Sequence, residues 1–230
     1  MIDIIVPTRG RPQYCRDMIH SVHQTAKMAY RIYLGVDSDD PMLPEYENIQ
    51  GVNIMISSPK DGAVGVTNYL VDKTDSEWVY VLCDDNLTLT DGWDEKLIAA
   101  FPPDKIAVVY PMTMEATIRQ QYFCPMLSRR WLDAVGWMYL PGIKHYAADD
   151  GLWIMANELG RAYWVDDVVV AHRHFSRCPE GIPKDYLYER NEANAQADTE
   201  FHQRHKHVYL EKAEVLRGLM DVAQEDATHD

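Results

Sequence analysis

The sequence predicts an α/β fold: a mainly parallel central sheet, helices on both faces, and further helices at the C-terminal end. Three observations carry this. Apolar strand-like runs alternate with helix-like segments from residue 2 to residue 112, the β-α-β-α rhythm of a parallel sheet. The 230 residues are 47% hydrophobic and 25% charged, an ordinary balance for one large domain with a sizeable core. No internal repeat and no linker divides the chain.

Each element follows in order. Ile2 to Val6 is an apolar strand that ends in the loop PTRGRP. Residues 12–28 read as a helix, RIYLGVD (31–37) as a second strand closing on a carboxylate, and DSDDPMLPEY as a turn-rich loop. VNIMISS (52–58) is a third strand, residues 63–74 a helix, and 77–83 the fourth strand. TDGWDEKLIAAF starts a helix after an acidic turn, and KIAVVYPM (105–112) is a fifth strand. QYFCPML (121–127) is a strand, and SRRWLDAVG a short helix capped by Ser128 and stopped by Gly136. DDGLWIMANELG (149–160) is a helix with acids in its first turn. AYWVDDVVVAHRH (162–174) is strand-like, and 185–224 is polar and helical.

Net charge is -14, which argues against non-specific binding to nucleic acid or anionic membrane. Cys15, Cys83, Cys124 and Cys178 are far apart and form no CxxC pair, so free thiols in a reducing compartment are the simplest reading. MIDIIVPTRG lacks the basic start and long apolar stretch of a signal peptide. No uncharged apolar run approaches the roughly 20 residues that cross a bilayer. The expectation is a cytoplasmic protein without a membrane partner.

The chemistry gathers at strand ends, where parallel α/β sheets bind ligands. PTRGR, VDSDD and CDDN are all polar strand ends that can converge on one crevice. Arg9 and Arg11 suit phosphate oxygens. Asp37 suits a hydrogen bond from a base or a ribose hydroxyl. Asp84, Asp85 and Asn86 offer hard oxygen ligands, the chemistry of Mg2+ or Mn2+ rather than Zn2+. Two adjacent carboxylates repel unless a cation or a proton relieves them. Phosphate, base and metal ligands together describe a nucleoside diphosphate site.

In their order, these motifs resemble the GT-A glycosyltransferases, and most closely the large inverting family 2. The resemblance covers residues 1–175. The family's opening strand matches here at Pro7 and Thr8, its base-holding strand end at Asp37, and its "G…RN" helix at GAVGVTN, with Asn68 in place. Its acidic metal motif matches LCDDN, its acidic helix start AADDG, and its late-strand His VAHRH. The resemblance implies a GT-A-like catalytic domain over 1–175, with 176–230 as a C-terminal helical extension of the same domain. It also implies a nucleotide-sugar donor, UDP-sugars first, bound by Pro7, Thr8, Arg9, Arg11, Asp37, Asn68 and Asp84. Mn2+ or Mg2+ would sit on Asp85, Asn86 and His172. Asp150 would be the general base of an inverting displacement, with Asp149 capping the helix or holding Asp150. The chain departs from the pattern at Thr67 for Arg, Asn86 for a third acid and Asp149 for Glu. The QxxRW motif of processive synthases is missing.

Alternative readings stay open at this level. An acidic turn can simply stop a strand, and acids at 149 and 150 suit a helix N-terminus. A sugar-phosphate nucleotidyltransferase shares the fold class, although PTRGRPQ lacks that class's glycines and lysine. A non-catalytic nucleotide- or sugar-binding subunit is the alternative from another class. FHQRHKH reads as a solvated helix with His202 and His205 on one face. Trp131, Trp137, Trp153 and Tyr146 surround the acidic helix and suit either core packing or sugar stacking. The sequence leaves the acceptor open among a modified DNA base, a protein and a glycan; small chains of this look also resemble bacteriophage-encoded glycosyltransferases. For a nucleic-acid acceptor, Arg119, Arg129, Arg130, Arg173, Arg177 and Lys184 would have to gather on one face.

Overall fold

The computed structural model describes residues 1–59, 62–114, 122–174 and 184–227. Among these, eight strands form one sheet in the order β3-β2-β1-β4-β7-β6-β8-β5. β1 (Ile2–Thr8) lies between β2 (Tyr30–Asp37) and β4 (Trp78–Val81), parallel to both, and β3 (Asn53–Ser57) extends the parallel set beyond β2. β7 (Met126–Ser128) is antiparallel to both its neighbours, β4 and β6 (Val108–Thr113). β8 (Ala162–His172) runs parallel to β6, and β5 (Asn86–Thr88) closes the edge antiparallel to β8. The sheet is therefore mainly parallel.

Alternation along β1 feeds two cores. Ile5 belongs to one cluster, with α3 (Gly62–Asp72), α5 (Arg129–Val135), α6 (Ala148–Glu158) and α9 (Lys206–Ala227) on that face. Ile4 and Val6 belong to the other, with α1 (Pro12–Thr25), α2 (Leu43–Tyr46) and α4 (Trp93–Ala99). Helices thus cover both faces. α3 lies so close on β2 that a Cβ at Gly35 would come within 2.3 Å of the Val66 side chain. Asp3 is fully buried at the foot of β1, where its carboxylate is satisfied by Arg31 and by the backbone N–H of Ser76.

Several elements differ from the sequence reading, each for a stated reason. The fourth strand stops at Val81, since the chain turns at the acids and starts β5, whose three residues are held only by pairing with β8. The 121–127 strand shortens to Met126–Ser128, and Gln121 lies outside the described residues. β8 carries a bulge opposite Pro111, which has no N–H to give the ladder. The polar stretch after 184 is three helices rather than one: α7 (Tyr186–Glu192), α8 (Ala195–Arg204) and α9. Ser128 does cap α5, its hydroxyl accepting from Trp131 N–H, and Gly136 ends it at φ 87°. Tyr209 and Leu216 of α9 enter the core against α5 and α6. No described helix is long and apolar enough to cross a membrane.

Candidate functional site

The carboxyl ends of β1, β2, β4 and β8 bring most of the anticipated residues together. Thr8 ends β1 and donates to Asp84 Oδ2 at 2.7 Å; Tyr46 anchors the same loop by accepting from Arg11 N–H at 2.7 Å. Pro7 sits within β1 opposite Gly35 of β2. Asp37 ends β2. It pairs with Arg9 at 2.8 Å and accepts from Ser57 at 3.2 Å. Arg9 also pairs with Asp39. Asp40 accepts from the backbone N–H of Gly10 at 2.7 Å and of Met42 at 2.8 Å.

The two acids after β4 are both buried, Asp84 at 4% exposure and Asp85 at 3%. Arg11 lies between them, 3.2 Å from Asp84 and 3.6 Å from Asp85. Burial, with the neighbouring Asp85 charge, pushes the Asp84 carboxyl up against the opposing pull of Arg11. For Asp85 burial also opposes ionisation, but His172, Arg11 and Tyr188 outweigh it and hold the group below the usual carboxylate range. Asp85 Oδ2 accepts from the Tyr188 hydroxyl at 3.2 Å. Its Oδ1 has no hydrogen-bond partner, although His172 Nε2 stands 3.4 Å away. His172 in turn packs its ring on Phe123, and its Nδ1 is buried without a partner.

A buried carboxylate oxygen without a partner, beside an imidazole, fits a hard divalent cation. The fit is partial: no three His, Cys, Asp or Glu side chains converge as a ready-made metal cage among the described residues. Asn86 does not join them. Its Oδ1 accepts from Cys83 N–H at 2.6 Å and from the Cys124 thiol at 3.0 Å, so it ties down the turn into β5. The expectation that Asn86 is a ligand is corrected on that ground.

Asn68 is corrected as well. Its Nδ2 donates to Tyr139 O at 2.7 Å, and its Oδ1 accepts from the N–H of Met138 and of Tyr139 at 3.0 Å each. The side chain is spent on holding the loop before α6, which leaves none for a nucleotide.

The acidic pair at the start of α6 divides. Successive helical residues point about 100° apart, so one enters the crevice and the other leaves it. Asp149 is the partly buried one. It accepts from the Tyr139 hydroxyl and lies in the field of His172. Burial, reinforced by the Asp150 charge, raises its carboxyl to about 6. Asp150 is exposed and acts electrostatically on His202 and Tyr209, on the side of α8 and α9. Asp149, rather than Asp150, is therefore the acid that meets Tyr139 and His172. Asp149 does not cap α6 either; the residue at that position, Ala147, is left-handed at φ 60° and no side chain caps the helix.

α7 crosses the mouth of the crevice, and no sequence motif marked it. Asp185 takes Arg11 in a bidentate pair at 2.8 and 3.1 Å, and Tyr188 lies over the same guanidinium at 4.5 Å. Arg190 approaches Asp37 at 3.7 Å. A Cβ at Gly10, where φ is +67°, would strike the Tyr186 hydroxyl, so Gly10 serves both the turn and this contact.

Other expectations fare variously. Trp131 is wholly core, and Trp137 packs against Tyr209. Tyr146 meets His145 edge-on, while Trp153 of α6 packs its ring, tilted by 31°, against Tyr122 at 4.8 Å. His202 is buried, not solvated, with Nδ1 3.2 Å from the Tyr209 hydroxyl. The described basic residues among those six do not gather on one face. Arg129 binds backbone carbonyls at the amino ends of the strands and Arg130 the carbonyls of Asp104 and Leu219. Arg173 pairs with Asp17 and Lys184 with Glu192; Arg119 and Arg177 lie outside the described residues. A surface cavity lined by Asp72, Thr74, Arg129, Asp133 and Trp137 sits at the far ends of the strands and contains none of the site residues.

Among solved structures the fold is shared widely. The mannosyltransferase PcManGT from Pyrobaculum calidifontis, in complex with GDP-Man and Mn2+, aligns with a TM-score of 0.62 at 11% identity. The match covers 97% of this chain and 75% of that one. Glucosyl-3-phosphoglycerate synthase from Mycobacterium tuberculosis, with Mn2+, UDP and phosphoglyceric acid, aligns at 0.59 and 15% identity over 76% and 71%. S. aureus TarS 1–349 with UDP-GlcNAc aligns at 0.55 and 15% identity over 75% and 59%. The match covers only 37% of a longer S. aureus TarS structure. Identities this low show the GT-A fold and no more. Among curated sequences no relative matches the chain. The family model described as "Glycosyl transferase family 2" matches residues 3–131, more than half of the sequence. The chain belongs to glycosyl transferase family 2.

Proposed function

We propose that this chain transfers a sugar from a nucleoside diphosphate sugar, a UDP-sugar first among them, to a hydroxyl acceptor with inversion at the anomeric carbon. The observation that carries the reading is the partition of the crevice. The reading gives buried Asp37 and Asp84 to the nucleoside, Asp85 Oδ1 and its 3.4 Å neighbour His172 to a metal, and the partly buried Asp149 at the start of α6 to the acceptor.

Asp85 and His172 would hold Mn2+ or Mg2+, whose charge, when bound, offsets that of the leaving diphosphate. Asp37, with Ser57 beside it, accepts from the base, and Arg9 and Arg11 face phosphate oxygens. Asp149 takes the proton of the acceptor hydroxyl as its oxygen bonds to the anomeric carbon. The bond to the diphosphate breaks on the opposite face, and its electron pair leaves with the phosphate. Tyr139 fixes the carboxylate by donating to it, and the aromatic pair Tyr122–Trp153 borders the acceptor side.

Calorimetry of UDP with Mn2+ and with chelator tests the donor half. Binding that needs the metal and disappears in Asp85→Asn is expected. Equal affinity in chelator contradicts it.

A further inference from the structure

We propose that Asp198, on α8, is the positioning residue of this enzyme: it sets the direction in which α6 presents Asp149. The proposal rests on the reading of Asp149 as the general base.

Asp198 is 2% exposed, although it lies in a polar helix far along the chain. Its Oδ1 accepts from the N–H of Lys144 at 2.9 Å. Its Oδ2 accepts from His145 N–H at 2.8 Å and Tyr146 N–H at 2.9 Å. Three successive amides thus aim at one carboxylate, an arrangement that binds an anion and fixes the backbone bearing it. The next residue, Ala147, is held left-handed at φ 60°, a conformation a non-glycine residue keeps only when its surroundings impose it. α6 begins immediately after, and Asp149 is its second residue. The Asp198 clamp and the Ala147 turn together set the rotational phase of the helix. A phase error of one residue would exchange Asp149 for Asp150 in the crevice.

The rest of the loop is held as firmly. Lys144 O accepts from Val64 N–H at 3.2 Å, which fastens the loop to α3. Asn68 grips Met138 and Tyr139 at the other end. Among the described residues the Asp198 carboxylate bonds neither the anticipated metal ligands nor the nucleotide residues; it accepts from the backbone amides of Lys144, His145 and Tyr146. Its effect on the reaction must therefore travel through the placement of Asp149. Displacements near 1 Å at a catalytic group cost about 100-fold in rate.

The test is a double-mutant cycle on Asp198→Asn and Asp149→Asn, read as release of nucleoside diphosphate by slow hydrolysis of UDP-GlcNAc and GDP-mannose with Mn2+. Asparagine keeps the shape but replaces one accepting oxygen with an amide that opposes the backbone N–H groups. In the wild-type background Asp198→Asn should lower turnover roughly 10–100-fold, with UDP–Mn2+ affinity by calorimetry unchanged. In the Asp149→Asn background it should lower turnover no further. Equal losses in both backgrounds, or a wild-type rate in Asp198→Asn, overturn the proposal. Asp198→Glu, which keeps the charge and displaces the loop, serves if Asp198→Asn does not fold. It should show the same pattern, and failure of both variants to fold assigns Asp198 to folding instead and equally overturns it. A wild-type rate in Asp149→Asn alone sinks the general-base reading, which separates that failure from this one.

Discussion

Asp84–Asp85 and Asp149–Asp150 are both adjacent acids on the rim of one crevice, and the fold uses them in opposite ways. The first pair follows a strand, in a turn that buries both carboxylates. Arg11, Thr8, Tyr188 and His172 surround them, and no outward direction is left. The second pair opens a helix, whose geometry sends one acid inward to Tyr139 and the other out to solvent. Burial raises one acid of each pair to about 6, Asp84 against the pull of Arg11 and Asp149 against that of Tyr139, while Asp85 is held low and Asp150 stays in solvent.

Breaking the first pair should have the largest effect. Asp85→Asn removes the charge that stands beside His172 and should weaken Mn2+-dependent UDP binding by at least about 100-fold in calorimetry. The same substitution at Asp150 should leave that affinity unchanged.

The second pair makes a prediction about stability. Burial raises the folded-state carboxyl of Asp149 to about 6, above the usual carboxylate value of about 4, so its ionisation disfavours folding. The cost is absent below about pH 4, grows through pH 6, and is complete above it, at up to about 3 kcal/mol. Asp149→Asn should therefore raise the melting temperature at pH 8 and lose that advantage at pH 4. An inactive variant more stable than its parent would mark a site where function opposes stability.

Activity has the opposite pH dependence. A general base must be ionised, so turnover should fall about tenfold per unit as pH drops below about 6, with a plateau above. A profile flat down to pH 5 would remove Asp149 from the chemistry. The smallest effect belongs to the helix across the mouth. Asp185 is 35% exposed in its pair with Arg11, so Asp185→Asn should change UDP–Mn2+ affinity no more than about fivefold.

Much of the fold was legible because its signals are local. Ile2 to Val6 and the run before Asp84 are buried on both sides and read as strands from composition alone. Ser128 and Gly136 bracket α5 by cap chemistry that needs no tertiary context. β5 was not legible, because three residues are a strand only when β8 lies beside them. The roles of Asn68 and Asn86 failed for a related reason: their partners, Tyr139 and Cys124, are far away in sequence. Asp149 and Asp150 are indistinguishable as letters. Their difference is set by the left-handed Ala147 and by Asp198 some fifty residues later, and no spacing rule reports either. α7 was legible as helix but not as part of the site, since Asp185, Tyr188 and Arg190 gain their meaning only from Arg11, Asp85 and Asp37.

The division of labour between the two acids of α6 is tested most directly by comparing Asp149→Asn and Asp150→Asn side by side. The measurement is turnover of UDP-GlcNAc and GDP-mannose with Mn2+, at matched donor affinity. Asp149→Asn should lose roughly 10²–10⁴-fold, and Asp150→Asn should stay within about twofold of the parent. The reverse pattern, with Asp150→Asn slow and Asp149→Asn unaffected, would contradict the account.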